Sequence, residues 1–162
     1  IYTATQALIT ALIRKDQILL QVDIPEDLPR IKCRSQQIQQ VLMNLLTNAR
    51  DAVNARYPRY DDNKIIRINA RPFEFEGRAY VRTEVEDHGN GIPEAIAHRI
   101  FDPFFSTKSR EFGTGLGLPI CHGIVLEHKG RLSFESQEGV GTRFYLDLLL
   151  DNGWSLEAPA KE

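Results

Sequence analysis

A strand that runs directly into a glycine-bearing turn constrains this chain more than any other stretch of the sequence. Residues 80–85 alternate apolar and polar side chains, which predicts a strand. Asp87 stands at the end of this strand, and Gly89 and Gly91 follow at once. Glycine tolerates positive φ and lets the backbone approach another group closely. A ligand-binding turn needs this arrangement, although an ordinary turn explains the same residues about as well.

Length and composition indicate one globular domain. The 162 residues suffice to bury a core, and 42% of them are hydrophobic. The net charge of −2 gives no reason to expect nucleic acid as the main partner. No apolar run approaches the roughly 20 residues of a membrane span and no signal peptide is visible, so we expect a cytoplasmic location. Cys33 and Cys121 lack CxxC spacing, and we expect them to be reduced, buried thiols.

The periodicity of apolar residues predicts a mixed order of helices and strands. Strands are expected at residues 18–24, 31–33, 65–70, 79–86, 131–136 and 142–150, with 31–33 as a short edge strand. Helices are expected at residues 3–15, 35–56, 93–100 and 116–128. Glu76 and Gly77 form the expected hairpin turn between two neighbouring strands. The order indicates an α+β fold, a two-layer sandwich of sheet and helices.

Local signals predict the faces and ends of these helices. Ser35 is a candidate N-cap for the long helix, and Gly130 suits the C-terminal stop of the last one. The apolar face of the first helix is predicted to contain Ala7, Leu8, Ala11 and Leu12.

Two further groups of glycines lie far from the first. Gly139 and Gly141 form the last group, and Gly113, Gly115 and Gly117 open directly into a helix. A glycine-rich turn at a helix N-terminus presents free N–H groups and the positive end of the helix dipole, which favours phosphate. Lys108 and Arg110 precede it and are placed to meet phosphate charge. Simple packing at a helix start and a solvated basic loop remain alternatives, and neither Walker A nor Rossmann spacing is present.

The long helix carries polar residues among its apolar ones. Asn44 and Asn48 are four residues apart and share a face, with Asp51 close to it. An asparagine carboxamide oxygen is a hard donor that can complete a Mg²⁺ shell otherwise filled by phosphate and water. Exposed or capping asparagines would give the same pattern, and without the glycine groups that simpler reading would be preferred.

Together these stretches resemble the conserved boxes of sensor histidine kinases. NLLTNARDA resembles the N box, DHGNG the first glycine box, FDPFFSTK the F box, and GTGLGL and GVGT the later glycine boxes. The boxes occur in family order and cover most of residues 36–145. The resemblance implies the ATP-binding catalytic fold, a mixed sheet of about five strands with three helices on one face.

The resemblance also implies how the base of ATP is bound. Asp87 would accept a hydrogen from the exocyclic amino group of adenine, whereas guanine presents a carbonyl there and would be repelled. Thr142 would support Asp87 through water. Ala52, Ile92 and Ile100 would form the walls around the base.

For the phosphates, the resemblance implies Asn48 as the Mg²⁺ ligand with Asn44 nearby as a catalytic residue. Lys108, also catalytic, and the backbone around Gly115 and Gly117 would hold the β- and γ-phosphates. Residues 101–112 would form a compact lid. The remaining nucleotide contacts implied by the boxes are Asp51, Gly89, Gly91, Phe101, Gly113, Thr114, Leu116 and Leu118.

The related ATPases of this fold, such as gyrase, mismatch-repair proteins and heat-shock chaperones, carry Glu at the position of Asn44. Asparagine cannot act as a general base, which favours phosphoryl transfer over hydrolysis. Two alternatives stay open: a hydrolytic or serine-directed enzyme of the same fold, and a degenerate interaction module that has lost nucleotide.

Transfer requires an acceptor, and none of the four histidines, at positions 88, 98, 122 and 128, is followed by the acidic residue and proline of the phosphoacceptor box. The resemblance therefore implies a separate dimerisation and phosphoacceptor domain of the same protein, and a response regulator receiver domain as a further partner. The chain begins abruptly at Ile1, as a fragment would. We expect residues 1–16 to be a junction helix, 17–150 the catalytic domain and 151–162 a tail or linker. The isolated domain is expected to be a monomer and its parent a homodimer, with membrane anchoring of the parent left open.

Overall fold

The computed structural model describes residues 1–105 and 117–153. In chain order its elements are α1 (Tyr2–Lys15), β1 (Leu19–Asp23), α2 (Ser35–Arg56), β2 (Ile65–Phe75), β3 (Arg78–Asp87), α3 (Glu94–Ala97), α4 (Gly117–Glu127), β4 (Arg131–Gln137) and β5 (Gly141–Leu149). The predicted positions Lys108, Arg110, Gly113, Thr114, Gly115 and Leu116 lie outside the described residues, as does the tail from residue 154.

The five strands form one mixed sheet in the order β1-β2-β3-β5-β4. β1 runs parallel to β2, and the other neighbours are antiparallel. The apolar sides of α1, α2 and α4 share one core with the inward side of the sheet. The predicted α+β sandwich with a mixed sheet of about five strands is thereby confirmed.

Helix α2 forms the centre of this core because its apolar residues recur at helical spacing. It contacts α1, α4, β2 and β3. Its fully buried side chains are Ile38, Val41, Leu42, Leu45, Leu46, Ala49 and Val53. The opposite edge of the same helix is therefore free to present polar residues to a site.

The predicted apolar face of α1 is wrong. Leu8 and Leu12 are 56% and 40% exposed, whereas Thr5, Ile9 and Ile13 are buried. Both stripes have helical spacing, and tertiary contacts select between them. The Tyr2 hydroxyl lies 2.5 Å from the Thr83 hydroxyl of β3, which turns the isoleucine stripe toward the core.

The predicted edge strand at residues 31–33 is also wrong, because this segment forms no strand. The Lys32 carbonyl instead accepts a hydrogen bond from the side chain of Asn152 at 2.7 Å. Ile31 and Cys33 pack against the core without a strand partner. Asn152 is itself buried, so the chain stays attached to the fold just beyond β5.

Two helix ends differ in detail from the expectation. Arg34 is the N-cap of α2, Ser35 is the first helical residue, and the Arg34 N–H donates to Nε2 of His128 at 3.1 Å. After α4, Lys129 adopts the left-handed conformation that the sequence suggested for Gly130. Gly130 is required for another reason, since a Cβ there would lie 2.5 Å from the Asp147 carbonyl oxygen.

Candidate functional site

Asp87 ends β3 between β2 and β5, opposite Ile66 and Thr142. The residue is 5% exposed. The Gly89 N–H donates to its Oδ1 at 2.8 Å, and the Thr142 N–H also bonds the carboxylate. Burial raises the pKa of Asp87 to about 6, although both N–H groups act in the opposite direction. A buried carboxylate with a pKa near neutrality is typical of functional sites.

The glycines of the turn after β3 are required by close contacts. A Cβ on Gly89 would lie 2.5 Å from the Ala52 Cβ, so the turn rests directly on α2. Gly91 has a φ of +73°, and a Cβ there would lie 2.2 Å from the Gln137 carbonyl oxygen. A Cβ on Gly141 would lie 2.1 Å from the Asp87 carbonyl oxygen. The turn is therefore packed between α2 and the β4–β5 hairpin.

Hydroxyl groups tie this turn to the hairpin. The Thr142 Oγ1 lies 2.7 Å from the Ser136 Oγ, and the Ile92 N–H donates to that same Ser136 oxygen at 2.7 Å. Sequence reasoning missed Ser136. The available signal was its position on β4. Ser136 follows Leu132 and Phe134 at two-residue spacing, and alternate residues of a strand share a face.

Helix α2 carries three of the predicted residues on one side. Asn44, Asn48 and Ala52 follow one another at four-residue spacing, and Ala52 meets the Gly89 turn. The Asn44 Nδ2 donates to the Cys121 Sγ of α4 at 3.4 Å. Asn44, Asn48 and Asp51 are all half-buried. The structure thus brings the asparagines and the wall residue Ala52 onto the side of α2 that leads to Asp87.

These residues fit a cation that takes most of its ligands from phosphate and water rather than from the protein. With its Nδ2 directed at Cys121, Asn44 leaves its carboxamide oxygen available as a hard donor. Within residues 1–105 and 117–153, no group of three or more His, Cys, Asp or Glu side chains could hold a metal. Asparagine oxygens with phosphate and water suit Mg²⁺, which retains water and phosphate ligands.

The remaining predicted wall residues lie at the edge of the core. Ile100 is buried, and Ile92, Phe101 and Leu118 pack against the core while partly exposed. The Phe101 ring stacks on His122 of α4 with ring centres 4.9 Å apart. Gly117 begins the described part of α4. The segment after α3 therefore packs against α4 through Phe101.

Arg56 is a second residue that sequence reasoning missed. It ends α2, four residues after Ala52, and its Nη1 reaches the carbonyl oxygens of His88, Gly89 and Val140. A cleft of about 580 Å³ opens beside it, lined in part by Asp87, Thr142 and Arg143. Of the residues predicted to surround the base, Asp87 and Thr142 line this cleft, whereas Ala52, Ile92 and Ile100 do not.

None of the helices in residues 1–105 and 117–153 combines the length and apolar character that crossing a membrane requires. The two cysteines are free thiols, Cys121 buried and Cys33 half-buried.

Comparison with known proteins gives consistent results. Residues 33–152 match the family model described as histidine kinase-, DNA gyrase B- and HSP90-like ATPase. The chain is 36% identical to the sensor kinase CckA of Brucella abortus over 165 residues, an alignment that covers 96% of this chain and 17% of CckA. The chain therefore spans less than a fifth of that curated relative.

Solved structures show the same likeness. The catalytic domain of histidine kinase ThkA superposes with a TM-score of 0.75 at 33% identity, covering 93% of this chain and 91% of that domain. Full-length ShkA, solved in complex with AMPPNP, shares the fold with a TM-score of 0.74 at 23% identity, covering 91% of this chain and 29% of ShkA.

Proposed function

Because the chain belongs to the histidine kinase-, DNA gyrase B- and HSP90-like ATPases, as a histidine kinase catalytic domain, we propose that it binds Mg-ATP for phosphoryl transfer. The acceptor is a histidine on a separate dimerisation domain, and a response regulator receives the phosphoryl group in turn. The observation that carries this proposal is the buried carboxylate of Asp87 at the end of β3.

Adenine recognition follows from the hydrogen bonds that Asp87 already makes. The Gly89 N–H occupies Oδ1, which fixes the carboxylate and leaves lone pairs of the group for the exocyclic amino hydrogen of adenine. Guanine would place a carbonyl oxygen against the same carboxylate, in a buried position where unpaired acceptors are costly. Selectivity for ATP is therefore assigned to Asp87, with Thr142 as its support.

Asn48 is assigned as the protein ligand of Mg²⁺, and Asn44, one turn away, as a residue that contacts the reacting phosphate. Mg²⁺ held there would supply neutralisation of the charge on the phosphoryl group. The residues of the chain position the nucleotide, and such positioning accounts for most of the rate enhancement in phosphoryl transfer. Lys108 and the glycine-rich segment from Gly113 to Leu118 are proposed to hold the β- and γ-phosphates.

The histidines of this chain support an acceptor elsewhere. His128 is buried, and its two ring nitrogens lie 2.8 Å from the Ile124 carbonyl oxygen and 3.1 Å from the Arg34 N–H. His122 is stacked on Phe101. His88 lies in the turn itself, 3.4 Å from the Glu86 carboxylate. An imidazole nitrogen must be free to attack the γ-phosphorus, and both ring nitrogens of His128 are already engaged.

The test is transfer in trans. The chain is incubated with γ-labelled ATP, Mg²⁺ and the dimerisation and phosphoacceptor domain of its parent protein. We expect acid-labile, base-stable label on that domain and almost no release of phosphate by the chain alone. Rapid phosphate release without the acceptor would favour a hydrolytic enzyme. Absence of both transfer and nucleotide binding would favour an interaction module.

A further inference from the structure

The C-terminal end of α2 makes a cluster of contacts that the proposed function leaves unused. The Nη1 group of Arg56 lies 2.9 Å from the Val140 carbonyl oxygen, 3.1 Å from that of Gly89 and 3.4 Å from that of His88. A single guanidinium therefore joins the end of α2 to two loops, the turn after β3 and the turn of the β4–β5 hairpin. Hydrogen bonds from a charged donor are stronger than neutral ones.

The two loops also depend on each other. The Gly139 N–H donates to the Asn90 carbonyl oxygen at 2.7 Å, and Gly91 packs against the Gln137 backbone too closely for a Cβ. Arg56 closes this contact from the side of the helix. The turn that carries Asp87 is accordingly enclosed on two sides, by α2 and by the hairpin.

Arg56 continues the line of site residues along α2. Asn44, Asn48, Ala52 and Arg56 succeed one another every four residues, so they form one slowly rotating stripe on the helix. Ala52 supports the Cα side of Gly89, and Arg56 bonds the carbonyl of the same residue. One helix thereby sets both the proposed metal ligands and the position of the base-reading turn.

We propose that Arg56 is a positioning residue for adenine recognition. It fixes the backbone of His88 and Gly89, so that the Gly89 N–H remains on Oδ1 of Asp87 and the carboxylate keeps the orientation that reads the amino group. Arg56 itself contacts no nucleotide. This inference rests on the proposed function, since it assigns to Arg56 a role in the selectivity of that same site.

The test compares two ligands that differ only at the position Asp87 reads. ATP and purine riboside 5′-triphosphate, which lacks the 6-amino group, are titrated calorimetrically with Mg²⁺ into the parent chain, Arg56→Met and Arg56→Lys. The control is Arg59→Met, which removes an exposed arginine three positions further along. We expect Arg56→Met to weaken the binding of ATP about tenfold and that of the deaminated analogue about twofold or less. Arg56→Lys should give intermediate affinities, and Arg59→Met should bind both ligands as the parent does.

If Arg56→Met weakens the binding of both ligands equally, Arg56 has a merely structural role and the inference is overturned. Unchanged affinity of this variant for ATP would also overturn it. Hydrogen exchange of the Gly89 amide in the absence of nucleotide gives a second measurement, which needs no bound ligand. If Arg56 holds the turn, the Gly89 amide should exchange faster in Arg56→Met. An unchanged exchange rate would contradict the positioning role of Arg56. If Arg56→Met fails to fold, Arg56→Lys carries both measurements.

The two proposals fail in different ways. If the parent chain binds ATP and the deaminated analogue equally, the role of Asp87 and hence the proposed function are contradicted. The exchange measurement would still test whether Arg56 positions the turn. If the parent chain prefers ATP over the deaminated analogue and Arg56→Met shows the same preference, only the positioning role of Arg56 is overturned.

Discussion

Two buried aspartates on neighbouring strands, Asp87 on β3 and Asp147 on β5, are stabilised in opposite ways. Asp147 is fully buried, and Arg82 meets it with two parallel hydrogen bonds of 2.7 and 2.8 Å. Asp87 is nearly as buried, yet among the described residues no cation pairs with it, and backbone N–H groups alone bond its oxygens.

This difference separates a carboxylate that stabilises the fold from the carboxylate proposed to bind adenine. The Arg82 guanidinium also lies over the rings of Phe73 and Tyr145, at 3.6 and 4.6 Å from their centres, so the ion pair belongs to a packed cluster on the sheet. The Asp147 carboxylate is thereby saturated by its partner. Among the described residues Asp87 has no such partner. Its burial raises its pKa to about 6, and the carboxylate keeps acceptor capacity for a ligand.

The largest expected effect comes from breaking the saturated pair. Arg82→Met leaves the Asp147 charge buried and uncompensated, which is expected to cost about 3–5 kcal/mol in the free energy of unfolding. Urea denaturation measures this loss. Arg143→Met is the control, because Arg143 pairs with Glu84 and Glu86 at an exposed position and should cost at most about 1 kcal/mol. Equal losses in the two variants would contradict the distinction, and adding Asp147→Asn to Arg82→Met should recover part of the stability.

The second prediction concerns the unpaired aspartate. Asp87→Asn is expected to weaken ATP binding by about 1–3 kcal/mol and to abolish the preference for adenine, because the amide presents a donor where the carboxylate presented an acceptor. Calorimetric titration with ATP and GTP measures both effects. Unchanged ATP affinity in this variant would refute the assignment of Asp87.

The same variant should keep or gain stability above pH 6. The folded state holds the Asp87 proton more tightly than the unfolded chain, so ionisation of Asp87 weakens folding as the pH rises from about 4 to about 6. Asp87→Asn removes that loss. Thermal melting at pH 5 and pH 8 is the measurement, and a variant that is destabilised more at pH 8 than at pH 5 would contradict the direction of the pKa shift.

The pH dependence of nucleotide selectivity gives a fourth prediction. Below about pH 6, Asp87 becomes protonated and can donate to the guanine carbonyl instead of repelling it. The ratio of ATP to GTP affinity should therefore fall by up to about tenfold per pH unit below this value. Comparison of the two nucleotides cancels the titration of their identical triphosphates, and a ratio constant from pH 8 to pH 5 would contradict the proposal.

The smallest expected effect is at the helix. Asn48→Ala should weaken Mg²⁺-dependent ATP binding about three- to tenfold while adenine selectivity and stability stay near those of the parent, because one neutral ligand is lost. Titrations with and without Mg²⁺ measure the coupling between metal and nucleotide. The same coupling in variant and parent would refute the role of Asn48 and would leave that of Asp87 intact.

Sequence could predict the elements whose signals are local. The alternation around residues 80–85, the apolar stripe of α2 and the close-packed glycines 89, 91 and 141 all correspond to observed structure. The face of α1 could not be predicted, because two apolar stripes have equal spacing and a hydrogen bond to Thr83 selects one of them. Local patterns contain no information on such a distant partner.

The contacts of Arg56 and Asp147 escaped prediction for the same reason. Arg56 bonds carbonyl groups 32 to 84 positions away in the chain, and backbone carbonyls carry no residue-type signal. Arg82 and Asp147 are 65 positions apart, and their pairing requires the register of β3 with β5. Neither relation exists until the sheet is assembled.

The most direct test of the central claim is calorimetric titration of the parent chain with ATP and GTP at pH 8, each with and without Mg²⁺. The unpaired Asp87 predicts ATP binding that Mg²⁺ strengthens and GTP binding at least about tenfold weaker, in proportion to one unfavourable buried contact. Equal affinity for the two nucleotides would contradict the claim that Asp87 reads the adenine amino group.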